Sequence, residues 1–124
     1  MVRLSRQQFE QLVLKALEGL PAAIKERMDN VDVVVREWPS REDLATAGLD
    51  DRYDLFGLYQ GLPLTERSHY DLALPDKITI FRGPLTAACA TRVDLVKEVR
   101  VTVVHEVAHH FGISDAVLEQ TRYG

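Results

Sequence analysis

A chain of 124 residues with 46% hydrophobic and 27% charged side chains and a formal net charge of -4 has the make-up of one globular domain spanning residues 1–124, not of a disordered segment. The two charge signs are interspersed with no basic stripe, which argues against nucleic acid as a partner, and no apolar run approaches the ~20 residues of a membrane span. One cysteine, Cys89, cannot form an internal disulfide, and Arg3, Arg6, Glu10, Lys15 and Glu18 interrupt any signal-peptide core, so the expectation is a cytoplasmic protein with no membrane association and Cys89 as a small buried hydrophobe.

The N-terminal stretch predicts a helix. Ser5 and Gln8 have capping-box spacing, and Leu4 and Phe9 stand where a hydrophobic staple would. Phe9, Leu12, Val13, Ala16, Leu17 and Leu20 recur at helical spacing and form one apolar face for packing on a core. Pro21 opens a second short helix over about residues 21–28. Residues 31–37 are rich in β-branched side chains and predict a strand that Pro39 ends. Residues 40–53 read as loop apart from one helical turn begun by Ser40 and Asp43. Asp50, Asp51 and Asp54 lack the spacing of a calcium loop and read as solvated.

Residues 55–60 predict a second strand, and Gly57 and Pro63 suit an edge position. Residues 65–75 read as loop. Residues 77–82 alternate apolar and polar side chains and predict a third strand, stopped by Gly83 and Pro84. A long helix is predicted from Thr91, its cap, to about Phe111. The β-branched run Val101 to Val104 argues against it. The wheel argues for it, because Val96, Val99, Val103, Val104, Val107, Ala108 and Phe111 share a broad side. Gly112 suits the left-handed position that closes a helix, and Ser114 begins a short last helix over about residues 115–121.

The chemistry lies in His105-Glu106-Val107-Ala108-His109-His110-Phe111-Gly112-Ile113-Ser114-Asp115. His105 and His109, four apart on a helix, stand ~40° apart in rotation and ~6 Å apart along the axis. Two imidazoles so placed can hold one zinc ion. Glu106 is ~100° round from His105 and flanks the metal. The helix's next turn leads away, so a third ligand needs the chain to turn back at Gly112, which brings Asp115 within reach. Two histidines and one carboxylate leave a coordination position open, as a catalytic site requires. His-Glu-x-x-His alone arises in about one shuffled sequence in a hundred, and the added Gly112 and Asp115 make coincidence far rarer. His110, ~140° from His105, reads as packing behind the site. His69, Tyr70, Arg122 and Tyr123 are weaker site candidates, and Glu98 shares the metal face two turns upstream with Val101 and Thr102.

This segment resembles the zincin metallopeptidases in their extended form His-Glu-x-x-His-x-x-Gly-x-x-Asp. From about Val31 onward the chain looks like the small bacterial family called minimal zincins, through Gly57-Leu58-Tyr59-Gln60-Gly61, Leu64-Thr65-Glu66-Arg67-Ser68, Ile78-Thr79-Ile80-Phe81-Arg82-Gly83-Pro84 and His105 to Asp115. The resemblance implies an α+β fold: N-terminal helices, a three- to four-stranded mixed sheet on a long active-site helix, and a minimal C-terminal subdomain. It also implies zinc held by His105, His109 and Asp115, with Glu106 as general base. Met1 and Met28 both precede the motif, so the methionine turn of the metzincins is missing.

The expected activity is zinc-dependent hydrolysis of a peptide or protein substrate. The competing expectation is a catalytically silent zinc-binding module that holds a protein partner. Nothing in the sequence specifies the substrate or the oligomeric state.

Overall fold

The β-branched run beginning at Val31 forms strand β1 (Val31–Arg36), as its propensity predicts. Strands β2 (Gly57–Gln60) and β3 (Asp76–Phe81) complete a mixed sheet of order β1-β3-β2 in this computed structural model, which describes residues 2–28, 30–61 and 76–112. β1 runs parallel to β3, with Val33 opposite Ile78, and β2 runs antiparallel to it, with Tyr59 opposite Ile78. Among the described residues β2 is therefore an edge strand, as Gly57 suggested.

Alternation gives the sheet two working faces. Val33, Val35, Ile78 and Ile80 belong to the larger core cluster with Phe9, Val13, Leu95, Val99, Val103 and Val107. Leu58 and Phe81 point the other way and pack with Leu55, Leu44 and Leu49. The α+β architecture with a three-stranded mixed sheet matches the expected class.

Helix α1 (Arg6–Glu18) starts at a complete capping box. The Ser5 hydroxyl accepts from Gln8 N–H at 3.1 Å, and Gln8 Oε1 accepts from Ser5 N–H at 2.9 Å. It buries Phe9 and Val13. The second helix, α2 (Ala22–Lys25), follows Pro21 and is shorter than predicted.

Two helices depart from the sequence expectation. Residues read as loop contain α3 (Arg41–Ala47), which begins with the predicted Ser40–Asp43 cap and continues to Gly48 at φ 72°. Leu44 on α3 packs on the second cluster, and that contact carries the helix past its polar first turn. A 3₁₀ turn (Arg52–Asp54) follows, with Asp51 accepting from Tyr53 N–H at 2.9 Å. Gly83 and Pro84 end β3 but also lie in the first turn of α4 (Arg82–Ala88), where a proline loses no helical hydrogen bond. A side chain at Gly83 would stand 2.6 Å from the Glu37 carbonyl and against Trp38, so glycine is required there.

Arg82 ties these parts together. Its guanidinium pairs with the Glu37 carboxylate and donates to the Leu4 carbonyl at 2.8 Å. The long helix α5 (Arg92–His110) then crosses the sheet and packs against α1, α4, β2 and β3. No helix among the described residues is long and apolar enough to cross a membrane.

Candidate metal centre

Helix α5 forms where predicted, despite the β preference of Val101 to Val104. Thr91 caps it, its hydroxyl accepting from Asp94 N–H at 3.1 Å, and Val99, Val103 and Val107 are buried on the sheet. Burial of three valines outweighs a propensity deficit of a few tenths of a kcal/mol per residue. The far end closes as expected. Phe111 N–H reaches the Val107 and Ala108 carbonyls, and Gly112 N–H donates to the His109 carbonyl at 3.0 Å. Gly112 has φ 74°, the left-handed conformation that turns the chain out of the helix.

The buried side of α5 is rolled away from the expected apolar one. Val96 and Val104 are only partly buried, whereas Leu95, Thr102, Glu106 and His110 are buried. Thr102, Glu106 and His110 follow one another at intervals of four, so they form one line along the helix. That line faces a strand that accepts polar neighbours. A Cβ on Gly57 of β2 would stand 2.8 Å from Thr102 Cγ2 and 3.0 Å from Glu106 Cγ. Strand backbone therefore lies directly on the Glu106 side chain.

The motif side chains differ in exposure. Glu106 is 8% exposed, and the His109 side chain is 38% exposed. His105 lies between buried and exposed. Glu106 Oε1 is 3.2 Å from His109 Nδ1, so the carboxylate bears on one ring nitrogen of the neighbouring turn. Val101, one turn before His105, is 39% exposed, while Thr102 is buried under Gly57. Glu98 lines a cavity of about 310 Å³ together with Phe56, Cys89 and Asp94.

His110 lies on the buried line of Glu106, well round the helix from His105 as its angular position predicts, and is 3% exposed. Its Nδ1 lies 2.6 Å from Asp76 Oδ2, and Tyr59 O–H donates to the same oxygen at 2.7 Å. Nothing in the sequence marks Asp76. A carboxylate at the mouth of an apolar strand carries no signal until the fold brings Tyr59 and His110 to it. Gly57 carries an edge-strand signal and part of the family resemblance in the sequence, but its contact with Glu106 needs the fold.

The donor set fits a metal in part. Helix α5 supplies two imidazoles four residues apart and a carboxylate beside them, the donor types that zinc takes. No group of three metal-ligating side chains converges among the described residues. The predicted third ligand, Asp115, lies outside the described residues, as do His69, Tyr70, Arg122, Tyr123 and the predicted last helix.

Known proteins now place the chain. Residues 28–124, 97 of 124, match the family model described as zincin-like metallopeptidase. The chain belongs to the zincin-like metallopeptidase family. A solved structure described as a conserved hypothetical protein from Thermo thermophilus shares the fold, with a TM-score of 0.58 and 22% identity over 94% of this chain and 100% of that one. No curated protein matches.

Proposed function

We propose that this chain is a zinc-dependent peptidase in which His105, His109 and Asp115 hold the metal and Glu106 is the general base. The observation that carries the reading is the pairing of two histidines on α5 with a nearly sealed carboxylate 3.2 Å from one of them, beneath an edge strand. When bound, zinc supplies an acidified water and an electrophile for the scissile carbonyl. Glu106 accepts the proton of the attacking water and returns it to the leaving nitrogen. Its contact with His109 Nδ1 also holds that ring in place. The substrate is a peptide that pairs in extended form with the outer side of β2, because main-chain pairing fixes an extended chain beside α5.

The test has two parts. Protein purified without chelator is assayed for metal beside His109→Ala, with about one zinc per chain expected for the native protein and loss in the variant. Glu106→Gln is then expected to keep zinc and lose peptide hydrolysis, and retained hydrolysis would remove Glu106 as the base. Zinc-loaded native protein that cleaves nothing in a cell extract yet retains a stable partner would make the chain a non-hydrolytic zinc module.

A further inference from the structure

The last turn of α5 is anchored by a buried polar knot that the proposed chemistry does not use. Asp76 is 2% exposed and His110 3%. One carboxylate oxygen, Asp76 Oδ2, meets His110 Nδ1 at 2.6 Å and Tyr59 O–H at 2.7 Å. The knot therefore joins α5, the central strand β3 and the edge strand β2 at a single atom. Neighbouring main chain presses on it as well. A side chain at Gly61 would stand 2.7 Å from Asp76 Cγ, and the Arg27 carbonyl is 3.4 Å from His110 Nε2. Tyr59 and Phe111 meet the His110 ring edge-on, with centroids 6.0 Å and 5.1 Å away. The ring cannot turn without breaking its bond to Asp76.

His110 directly follows His109. On a helix its side chain is ~100° round from the preceding one, so a fixed His110 sets the roll of the turn that presents His109. That turn needs an outside anchor because the helix ends one residue later and the left-handed Gly112 turns the chain out of it. A helix end frays unless something beyond its own hydrogen bonds holds it.

We infer that Asp76, with Tyr59 and His110, is the positioning group of the metal centre: it fixes the orientation of His109 and the turn at Gly112 by which the chain leaves the helix, and so sets metal affinity. The inference rests on the zinc reading above. Partners hydrogen-bonded directly to a metal ligand are typically worth ~10–100-fold in affinity, and Asp76 acts one step further back, through His110.

The test compares Asp76→Asn, Tyr59→Phe and, as a control for stability alone, Val13→Ala in the α1 core. Zinc affinity is measured by competition with a chromophoric chelator, well below the melting temperature of each metal-free protein. The visible band of the Co²⁺-loaded protein reports coordination geometry. Asp76→Asn is expected to weaken zinc by up to ~10-fold, the low end of the range for direct partners, and to shift the cobalt band. Tyr59→Phe removes one bond to the same oxygen and is expected to move both in the same direction by a few-fold, which keeps the test decisive if Asp76→Asn does not fold. Val13→Ala is expected to lower the melting temperature and leave both readouts unchanged. Native affinity and an unshifted band in folded Asp76→Asn, or in Tyr59→Phe if only that variant folds, would overturn the inference and leave the zinc centre standing. Equal weakening in Val13→Ala would overturn it as mere destabilisation. A native protein that takes up no zinc would remove the centre itself, and the inference with it.

Discussion

Gly57 and Glu106 touch so closely that the strand residue has no room for a methyl group: a Cβ there would meet Glu106 Cγ at 3.0 Å. Gly57→Ala must therefore push the Thr102 and Glu106 side chains aside or lift β2 from α5. Overpacking of this kind costs ~1–3 kcal/mol. Urea unfolding should show that loss. Peptide hydrolysis should fall further than zinc content, since the added methyl bears on Thr102 and Glu106 and not on His105 or His109. A variant of native stability would mean that the strand does not press on the helix.

Gly112 stands at φ 74° and donates to the His109 carbonyl. Gly112→Ala places a Cβ in the left-handed region, at ~1–2 kcal/mol. The expected result is a lower unfolding midpoint in urea, with Gly112→Asn losing less because asparagine tolerates this conformation. Equal losses for the two substitutions would show that the helix end is not held left-handed.

Acid should loosen the junction between β1 and α4. The hydrogen bond from Arg82 holds the Glu37 carboxyl below its ordinary value of 4.5, against the opposing effect of burial and with added help from the charges of Arg82 and Arg6. A carboxyl depressed on folding contributes stability above its unfolded value, and the contribution disappears as the pH falls through the lower folded value. Melting temperature should therefore lose this contribution only below pH ~4.5. Glu37→Gln should flatten that acid limb and leave the slope between pH 5 and pH 7 unchanged. An acid limb identical to the native one would remove the pair from the stability of the fold. The effect is small because the Glu37 side chain is 43% exposed. Asp43 adds to the same limb. Burial pushes its carboxyl up, but the Ser40 hydrogen bonds and Arg36 outweigh it and hold it low.

Cys89 is 4% exposed, and burial together with the charges of Glu98 and Asp94 pushes its thiol up. A thiol that is both covered and protonated reacts slowly. Iodoacetamide at pH 8 should leave the native protein almost unmodified by mass spectrometry over a time in which the urea-unfolded chain is fully labelled. Rapid labelling of the native form would mean that the Cys89 region opens readily.

What could be read in advance was what is local. The Ser5–Gln8 box, the β-branched run of β1, Thr91 before α5 and Gly112 after it each act within a few residues, and each is found in its place. The pairing of His105, Glu106 and His109 on one helix is local in the same sense. Helix α3 is hard to see in the sequence because its first turn is polar, and the contact of Leu44 with the second cluster that supports it is distant in sequence. Helix α4 was hidden by Gly83 and Pro84, which look like a stop but are tolerated in a first turn. The apolar pattern of α5 misplaces its buried face at Val96 and Val104, because apolar periodicity does not register the buried Thr102, Glu106 and His110. Asp76 illustrates the limit. Its partners are 17 and 34 residues away, and only the folded sheet brings them together.

Helix α1 lies ahead of residue 28, where the family match begins. Even so, its Phe9 is fully buried in the cluster that holds Val99 and Val103 of α5, and the Leu4 carbonyl just before it is gripped by Arg82. The solved neighbour covers 94% of this chain, more than the 97 of 124 residues, about 78%, that the family match spans. A gene fragment trimmed to the family boundary would thus bare the back of the helix that carries the histidines. It would leave a greasy seat the size of a phenylalanine ring that invites other copies to stick. Cloning boundaries for this chain should follow the packing of Phe9 and not the edge of the matched segment.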